Sequence, residues 1–181
     1  MGKAMDGTRA PSSAADRMTT ALIGAAAGAA GTAVLDRVDW FLWDHEEPAA
    51  RHRTEAVRPG GEPPADALVS RAEEALGADV DRDTHQQRSV ATHYAIGIAP
   101  AIAYALFRDR LPVQGLARGA VYGLALWLVQ DEAMNTISGL GAKPRDYPWQ
   151  AHARGLIAHT AYGVATELAL NAAEKAMDTR R

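Results

Sequence analysis

The chain has 181 residues and a net charge of -3, from 19 basic and 22 acidic residues. Because nucleic-acid binding relies on a basic excess, this balance argues against a nucleic-acid partner. The complete lack of cysteine excludes disulfides, thiolate zinc sites, iron–sulfur clusters and a cysteine nucleophile. A mean hydropathy of -0.20 is typical of a soluble protein, but here it averages over segregated apolar and charged segments.

The N-terminal region divides into a polar part and an apolar part. Residues 1–18 are polar and rich in small side chains, which predicts a mobile tail. An uncharged stretch then leads into the sequence DRVDWFLW, so a first membrane span is predicted at about 19–43. A cleaved signal peptide is the alternative, but Asp6 and Asp16 precede the apolar stretch, and its apolar character continues to Trp43.

A long charged segment separates the first apolar stretch from the next. Proline, glycine and many charges at 44–63 predict a loop. Apolar residues then recur at spacings of three and four over 64–77. This pattern predicts an amphipathic extramembrane helix within the first long loop, with Gly77 suited to its C-terminal cap.

Three further apolar stretches predict the remaining spans, at about 89–107, 113–134 and 152–173. Their lengths match a bilayer at about 1.5 Å of rise per residue. A soluble bundle would show a charged outer face on each helix, whereas uncharged runs here cover all faces. The predicted fold is therefore all-α, a four-span transmembrane helical bundle. It forms a single membrane domain over 19–175, with a C-terminal tail at 176–181.

Each predicted span carries one face of small residues at helical spacing. In lipid, helices associate by close backbone approach at such residues rather than by burying leucine. We therefore expect the four spans to pack against one another through these faces, with the bilayer as partner and a homo-oligomer left open. The predicted helix-packing residues are Gly24, Gly28, Gly31, Gly97, Gly119, Gly123, Gly155 and Gly163.

The aromatic residues indicate the sidedness of the bundle. In an up-down-up-down arrangement, all four tryptophans fall at one end, which we call the Trp-rich end, as an interfacial belt would require. Basic residues in short flanks mark the other side and place both termini in the cytoplasm. The aromatic residues at the Trp-rich end are Trp40, Trp43, Tyr94, Trp127, Tyr147 and Trp149.

Nine titratable residues collect near the Trp-rich end or deeper in the fourth span. Ionisable groups at membrane depth are costly and are functional candidates by default. Carboxylates beside imidazoles can bind a divalent metal, relay protons or hold a polar headgroup or solute. Each residue also has a structural alternative, as an interfacial charge or as a hydrogen-bonding link between helices. The candidate polar pocket comprises Asp36, Asp39, His93, Asp131, Glu132, His152, Arg154, His159 and Glu167.

No enzyme signature is found in the sequence. The run His45–Glu47 lacks the second histidine of a metalloprotease motif, and there is no nucleophile elbow, phosphate loop or dinucleotide fingerprint. No catalytic residue and no cofactor are therefore predicted. Whether the His/carboxylate cluster binds a metal is left open.

Three blocks of sequence carry a resemblance to a known family. They run from Gly28 to Trp40, from His93 to Gly97, and from Tyr147 to Glu167, where YPWQAHARGL is the most specific part because it is long and rich in rare residue types. The blocks resemble the YagU-like family of bacterial inner-membrane proteins, a domain of unknown function. The resemblance covers about residues 20–173 and implies an inner-membrane location. It implies no activity, substrate or cofactor.

The function expected from the sequence is that of a small multi-pass inner-membrane bundle. Its polar pocket opens at one membrane face and has a proton-linked or small-solute role. The first alternative is a membrane enzyme or metal-binding protein that uses the His/carboxylate cluster. The second alternative is a soluble helical bundle.

Overall fold

The first helix begins inside the predicted tail. In the computed structural model, which describes residues 13–179, helix α1 spans Ala14–His45. Ser13 accepts a hydrogen bond from the Asp16 backbone N–H, and the Asp16 carboxylate accepts one from the Ser13 backbone N–H. This reciprocal capping box fixes the helix start. Residues 14–18 are therefore helical, and the rest of the predicted tail up to residue 12 lies outside the described residues.

Two short helices follow α1, where the sequence predicted one. Helix α2 spans Pro48–Val57, so the prediction of a loop at 44–63 is wrong over this part. Pro48 resembles a loop signal in the sequence, but it occupies the first turn of α2, where its missing N–H needs no partner. A 3₁₀ turn at Pro59–Gly61 leads to α3 at Pro64–Leu76, which ends with Gly77 in the left-handed conformation, φ 62°.

The remaining helices exceed or depart from the predicted spans. Their bounds are α4 Arg82–Phe107, a 3₁₀ turn Arg108–Arg110, α5 Leu116–Leu126, a π-helical segment Trp127–Met134, α6 Asn135–Ile137, a 3₁₀ turn Pro144–Asp146, and α7 Trp149–Asp178. The predicted C-terminal tail is thus helical over 176–178, and residues 180–181 lie outside the described part. No β-strand occurs in the described residues.

Helices α1, α4, α5 and α7 alternate in direction. Helix α1 packs against both α4 and α7, and α7 packs in turn against α5. On the α1–α4 face, Gly24 lies opposite Ala105 and Gly28 lies opposite Ala101, which is the pairing of antiparallel helices. Between α4 and α5, the rings of Tyr104 and Tyr122 stack with centroids 3.9 Å apart.

Close backbone approach holds these helices together. A Cβ added to Gly119 would lie 2.6 Å from the carbonyl oxygen of Gly163, too close for any side chain. Gly155 is different, since it faces the side chains of Trp127 and Asp131 rather than a backbone. The predicted packing glycines that face another long helix are Gly24, Gly28, Gly31, Gly97, Gly119, Gly123 and Gly163.

The bundle buries several polar side chains beside small apolar ones, and it exposes many large apolar side chains. Its buried residues include Thr32, Thr166, Glu167 and Arg108, each 2% exposed or less. Large apolar side chains point outward, among them Leu22, Phe41, Phe107, Leu128 and Leu168. In the described residues, Ala14–His45 and Arg82–Arg110 are long and apolar enough to cross a membrane by length and composition, each with a mean hydropathy of 1.5.

Candidate functional site at the Trp-rich end

A cavity of about 140 Å³ lies at the Trp-rich end of the bundle. It is bounded by the C-terminal part of α1, the π-helical segment, the start of α7 and the α2–α3 connection. Five of the nine predicted pocket residues line it: Asp39, Asp131, Glu132, His152 and Arg154. The structure thus brings together residues that are more than 100 positions apart in the sequence.

Arg154 connects α7 to the end of α1. Its guanidinium donates hydrogen bonds to Asp39, at 3.1 Å, and to Glu46, and it lies over the ring of Trp43, 4.6 Å from the centroid. The side chain is only 7% exposed. Two carboxylates and an aromatic face therefore satisfy this arginine within the protein. Glu46 was not predicted, because its segment was interpreted as a loop.

His152 is held between two acceptors. Its Nδ1 lies 2.6 Å from Glu132 Oε1 and its Nε2 lies 2.9 Å from the Pro144 carbonyl oxygen. A carbonyl oxygen only accepts, so Nε2 donates to Pro144 while Nδ1 faces the Glu132 carboxyl group. Glu132 and His152 thus fix the orientation of each other at the cavity wall.

The π-helical segment places Trp127 and Asp131 at the cavity. Trp127 Nε1 is buried and has no hydrogen-bond partner among the described residues. Asp131 Oδ2 lies 3.6 Å from His159 Nδ1, which is also 2.9 Å from the Gly155 carbonyl oxygen. π-Helical turns are rare in proteins, and those that occur are often found at functional sites. Here the turn provides one indole N–H and one carboxylate on the same wall.

These two groups meet beside Gly155. A Cβ at this position would lie 2.9 Å from Asp131 Oδ2 and 3.2 Å from Trp127 Nε1. Because residue 155 has no side chain, the Asp131 carboxylate and the Trp127 ring pack directly against the backbone of α7 at this point.

Arg58 also lines the cavity, and it has no ion-pair partner among the described residues. Its guanidinium lies 5.7 Å from the centroid of the Trp43 ring, and no hydrogen bond is formed with another described residue. Burial, and then the positive charge of Arg154, lower the pKa of Arg58. Sequence reasoning missed this residue, because an arginine in a charged segment gives no signal that the chain folds back over the helix ends.

Asp36 and His93 lie apart from the cavity lining. His93 Nε2 is 2.8 Å from Asp36 Oδ1, so the pair links α1 to α4. His159 reaches the site through Asp131 alone. The structure therefore divides the histidines between the cavity wall and a separate interhelical contact.

Glu167 lies towards the opposite end of the bundle. It is fifteen positions after His152 on α7, or about 22 Å along a helix. We call its surroundings the Glu167 cluster, in which it accepts hydrogen bonds from Tyr104 at 2.7 Å, Arg108 at 3.0 Å and Arg118 at 2.7 Å. The carboxylate is fully buried. Glu167 therefore joins α7 to α5 and to the C-terminal end of α4.

Arg108 and Arg118 were not predicted as partners of Glu167. Arg108 follows an apolar stretch and resembles an interfacial flanking charge in the sequence, yet it is 2% exposed and also pairs with Glu174. Arg118 pairs in addition with Asp109 at 3.0 Å. Only the tertiary arrangement shows that both arginines turn inward.

In residues 13–179, no group of three or more His or carboxylate side chains is placed to hold a metal ion. Comparison with models of protein families, with curated proteins and with solved structures gave no match. The resemblance to the YagU-like family therefore stays a prediction that rests on the three sequence blocks.

Proposed function

We propose that the chain is a multi-pass protein of the bacterial inner membrane that binds a small polar solute in the cavity at its Trp-rich end. In this proposal the bundle crosses the bilayer four times, with both termini in the cytoplasm. The observation that carries it is the distribution of side chains, in which Arg108, Arg154 and Glu167 are buried while many large apolar groups point outward.

Outward-facing large apolar side chains occur on all four long helical segments. Exposing apolar surface to water costs about 25 cal/mol per Å², and a soluble bundle would bury such side chains in its core. Only 28% of the most apolar window of α1 and 17% of that of α4 are buried inside the protein. Lipid contact accounts for this surface. The outward apolar residues include Leu22, Phe41, Val90, Ile96, Phe107, Val121, Leu124, Leu128, Ile157 and Leu168.

The position of the cavity favours a ligand that arrives from the water phase. The exposed rings of Trp40 and Trp149 lie at the same end, as expected at a membrane–water interface. Among the wall residues, Arg58 and Trp127 retain unused hydrogen-bond donors. A pocket with a few convergent polar groups is the first place to expect a binding site in a protein.

Single-cysteine labelling tests the membrane arrangement, since the natural chain contains no cysteine. In intact cells, a membrane-impermeant maleimide should label Ala151→Cys in the cavity wall. The lipid-facing Ala125→Cys should resist labelling, and Lys175→Cys should react only after the cells are opened. Recovery of the protein in the soluble fraction, with Ala125→Cys fully reactive in lysates, would contradict the proposal.

The same Ala151→Cys variant tests solute binding. A solute that occupies the cavity should slow the labelling of Ala151→Cys but leave that of Lys175→Cys unchanged. A survey of polar solutes, in which each is compared with a matched salt control, would show this protection. Failure of every solute class to protect the cavity cysteine would argue against a binding role.

A further inference from the structure

We propose that the cavity at the Trp-rich end binds a small zwitterion, with a carboxylate held by Arg58 and an ammonium group held by Asp131. This inference rests on the proposed binding function and names its ligand class, an amino-acid-like solute. It follows from the charged side chains that line the cavity, because two of them lack a hydrogen-bond partner and carry opposite charges.

Arg58 is the cation that the pairs of the cavity wall leave over. Asp39 is bound by Arg154, and Glu132 faces His152. The guanidinium of Arg58 lines the same cavity, but it forms no hydrogen bond or ion pair with a described residue. Its side chain is half-buried and thus reachable from the cavity. A guanidinium offers a fork of N–H donors that matches the two oxygens of a carboxylate.

Asp131 is the carboxylate of the wall that receives no hydrogen bond from a described residue. The basic group beside it is His159 Nδ1, which lies 3.6 Å away and donates its hydrogen bond to the Gly155 carbonyl oxygen at 2.9 Å instead. One oxygen of Asp131 packs against Gly155, yet the side chain is 37% exposed and lines the cavity. An N–H group of a ligand can therefore reach this carboxylate.

The two groups belong to different walls of the cavity. Arg58 caps the C-terminal end of α2, whereas Asp131 belongs to the π-helical segment, and they form no ion pair with each other. A ligand between them must therefore offer an acceptor to Arg58 and a donor to Asp131. An ionised carboxylate only accepts hydrogen bonds, and an ammonium group only donates them. A solute that carries both groups satisfies both walls.

The charge balance of the cavity favours a ligand without net charge. The guanidinium groups of Arg58 and Arg154 both lie near the Trp43 ring, 5.7 and 4.6 Å from its centroid. The carboxylates of Asp39 and Glu46, which bind Arg154, equal these two charges. A ligand with a net charge would leave an uncompensated charge in a partly buried site, which is costly. A zwitterion adds none.

The experiment compares solutes that differ only in their charged ends. The full chain with Ala151→Cys is reconstituted in nanodiscs, and the rate of maleimide labelling is measured. Glycine and β-alanine serve as zwitterions, propionate as the matched acid and ethylamine as the matched amine. At least one zwitterion should protect the cysteine at about tenfold lower concentration than propionate or ethylamine does, because each charged end forms its own hydrogen bonds. Lys175→Cys, labelled in parallel, corrects for direct reaction of the solutes with the maleimide.

Two variants assign the two ends of the ligand. In Arg58→Gln the carboxylate loses its partner, so the zwitterion should protect no better than ethylamine. In Asp131→Asn the ammonium group loses its partner, so the zwitterion should protect no better than propionate. Arg53→Gln, at an exposed arginine of α2 outside the cavity lining, should keep the full preference. The comparison of solutes on Ala151→Cys alone decides the ligand class, even where a variant does not fold.

Two results would overturn the inference. One is protection by propionate or ethylamine at the same concentration as by the zwitterions. The other is a full preference for the zwitterion that persists in Arg58→Gln or in Asp131→Asn. If neither zwitterion protects Ala151→Cys but another polar solute does, the binding function stands and only the ligand class fails. If Ala151→Cys is unreactive from the water phase, the proposed function fails as well.

Discussion

The two ends of the bundle both combine arginines with carboxylates, but they pair these groups differently. In the Glu167 cluster one buried carboxylate meets Arg108, Arg118 and Tyr104, and the arginines bind further acceptors. At the Trp-rich end Arg154 is satisfied, while Trp127 Nε1 lacks a described partner. The Glu167 cluster is thus closed within the protein, whereas the Trp-rich end keeps two polar groups, the Arg58 guanidinium and the Trp127 N–H, without a hydrogen-bond partner among the described residues.

The largest expected effect is the loss of the Glu167 charge. Glu167→Gln leaves two largely buried guanidinium groups around a neutral amide, because Arg108 is 2% and Arg118 is 12% exposed. Breaking a buried ion pair by removing one partner costs about 3–5 kcal/mol. We expect this decrease in the free energy of unfolding, measured by SDS titration in mixed micelles.

Glu174→Gln is the matched control for this loss. Glu174 also pairs with Arg108, but its side chain is 54% exposed. Ion pairs of this kind are worth about 0–1 kcal/mol, so the control should unfold almost as the natural chain does. Equal losses in the two variants would show that Glu167 does not hold the three helices together.

A pair of glycine substitutions compares the packing at the two ends. In Gly119→Ala the new Cβ meets the Gly163 carbonyl oxygen at 2.6 Å, so a backbone must move, and overpacking of this type costs about 1–3 kcal/mol. In Gly155→Ala the new Cβ meets only side chains, so the loss should be smaller. The unfolding free energies of the two variants test this order, and the reverse order would contradict it.

Trp127→Phe should have little effect on stability. The indole N–H has no described partner, and removing an unpaired buried donor is close to neutral or stabilising, by about 0–1 kcal/mol. Its thermal midpoint in detergent, without added ligand, should match that of Trp149→Phe. A clear destabilisation would indicate that the N–H has a partner within the folded protein.

The smallest effect concerns the docking of α3 on α4. Glu73 pairs with His85 at 2.8 Å and accepts a hydrogen bond from Arg88 at 2.9 Å, both in the first two turns of α4 ahead of the apolar stretch. The hydrogen bond with His85 lowers the pKa of Glu73, and the same bond raises the pKa of His85 above its ordinary 6.5. The contribution of Glu73 is lost as the pH falls through its lowered pKa. That of His85 is lost as the pH rises through its raised pKa.

Helix α3 should therefore be docked most tightly at mildly acidic pH, between these two pKa values. Spin labels at Ala75→Cys and Val90→Cys would report the α3–α4 distance by pulsed electron resonance across the pH range. His85→Gln should remove the change on the alkaline side and retain the one on the acidic side. A distance distribution that is constant with pH in the natural chain would contradict this coupling.

The helical fold was predictable because long uncharged runs and glycine periodicity are local properties. The apolar residues around 19–35 and 89–107 form helices, and the glycines at 119 and 163 face each other across α5 and α7. The ends of the helices were less predictable, because they are set by capping residues rather than by hydropathy. Ser13 begins α1 earlier than the hydropathy pattern indicated, and Pro48 begins a helix in a segment that resembles a loop.

Several residues that line the cavity could be predicted from the sequence, but the partners of the buried polar groups could not. The position of all four tryptophans at one end predicted that Asp39, Asp131 and His152 lie near one another, and they line one cavity. The unpaired state of Trp127 depends on the π-helical segment, which has no signature in residue type. The role of Glu167 depends on Arg108 and Arg118, whose positions in the sequence resemble those of ordinary interfacial charges.

The π-helical segment also bears on how such a site arises and is lost. In a regular α-helix each residue turns the chain by about 100°, so one additional residue accommodated at Trp127–Met134 reorients every side chain that follows it relative to α7. A one-residue deletion, such as removal of Val129, would restore the regular helix and rotate Asp131 and Glu132 away from His152. The chemistry of this wall can thus change by a single-codon insertion or deletion, with the residues themselves unaltered.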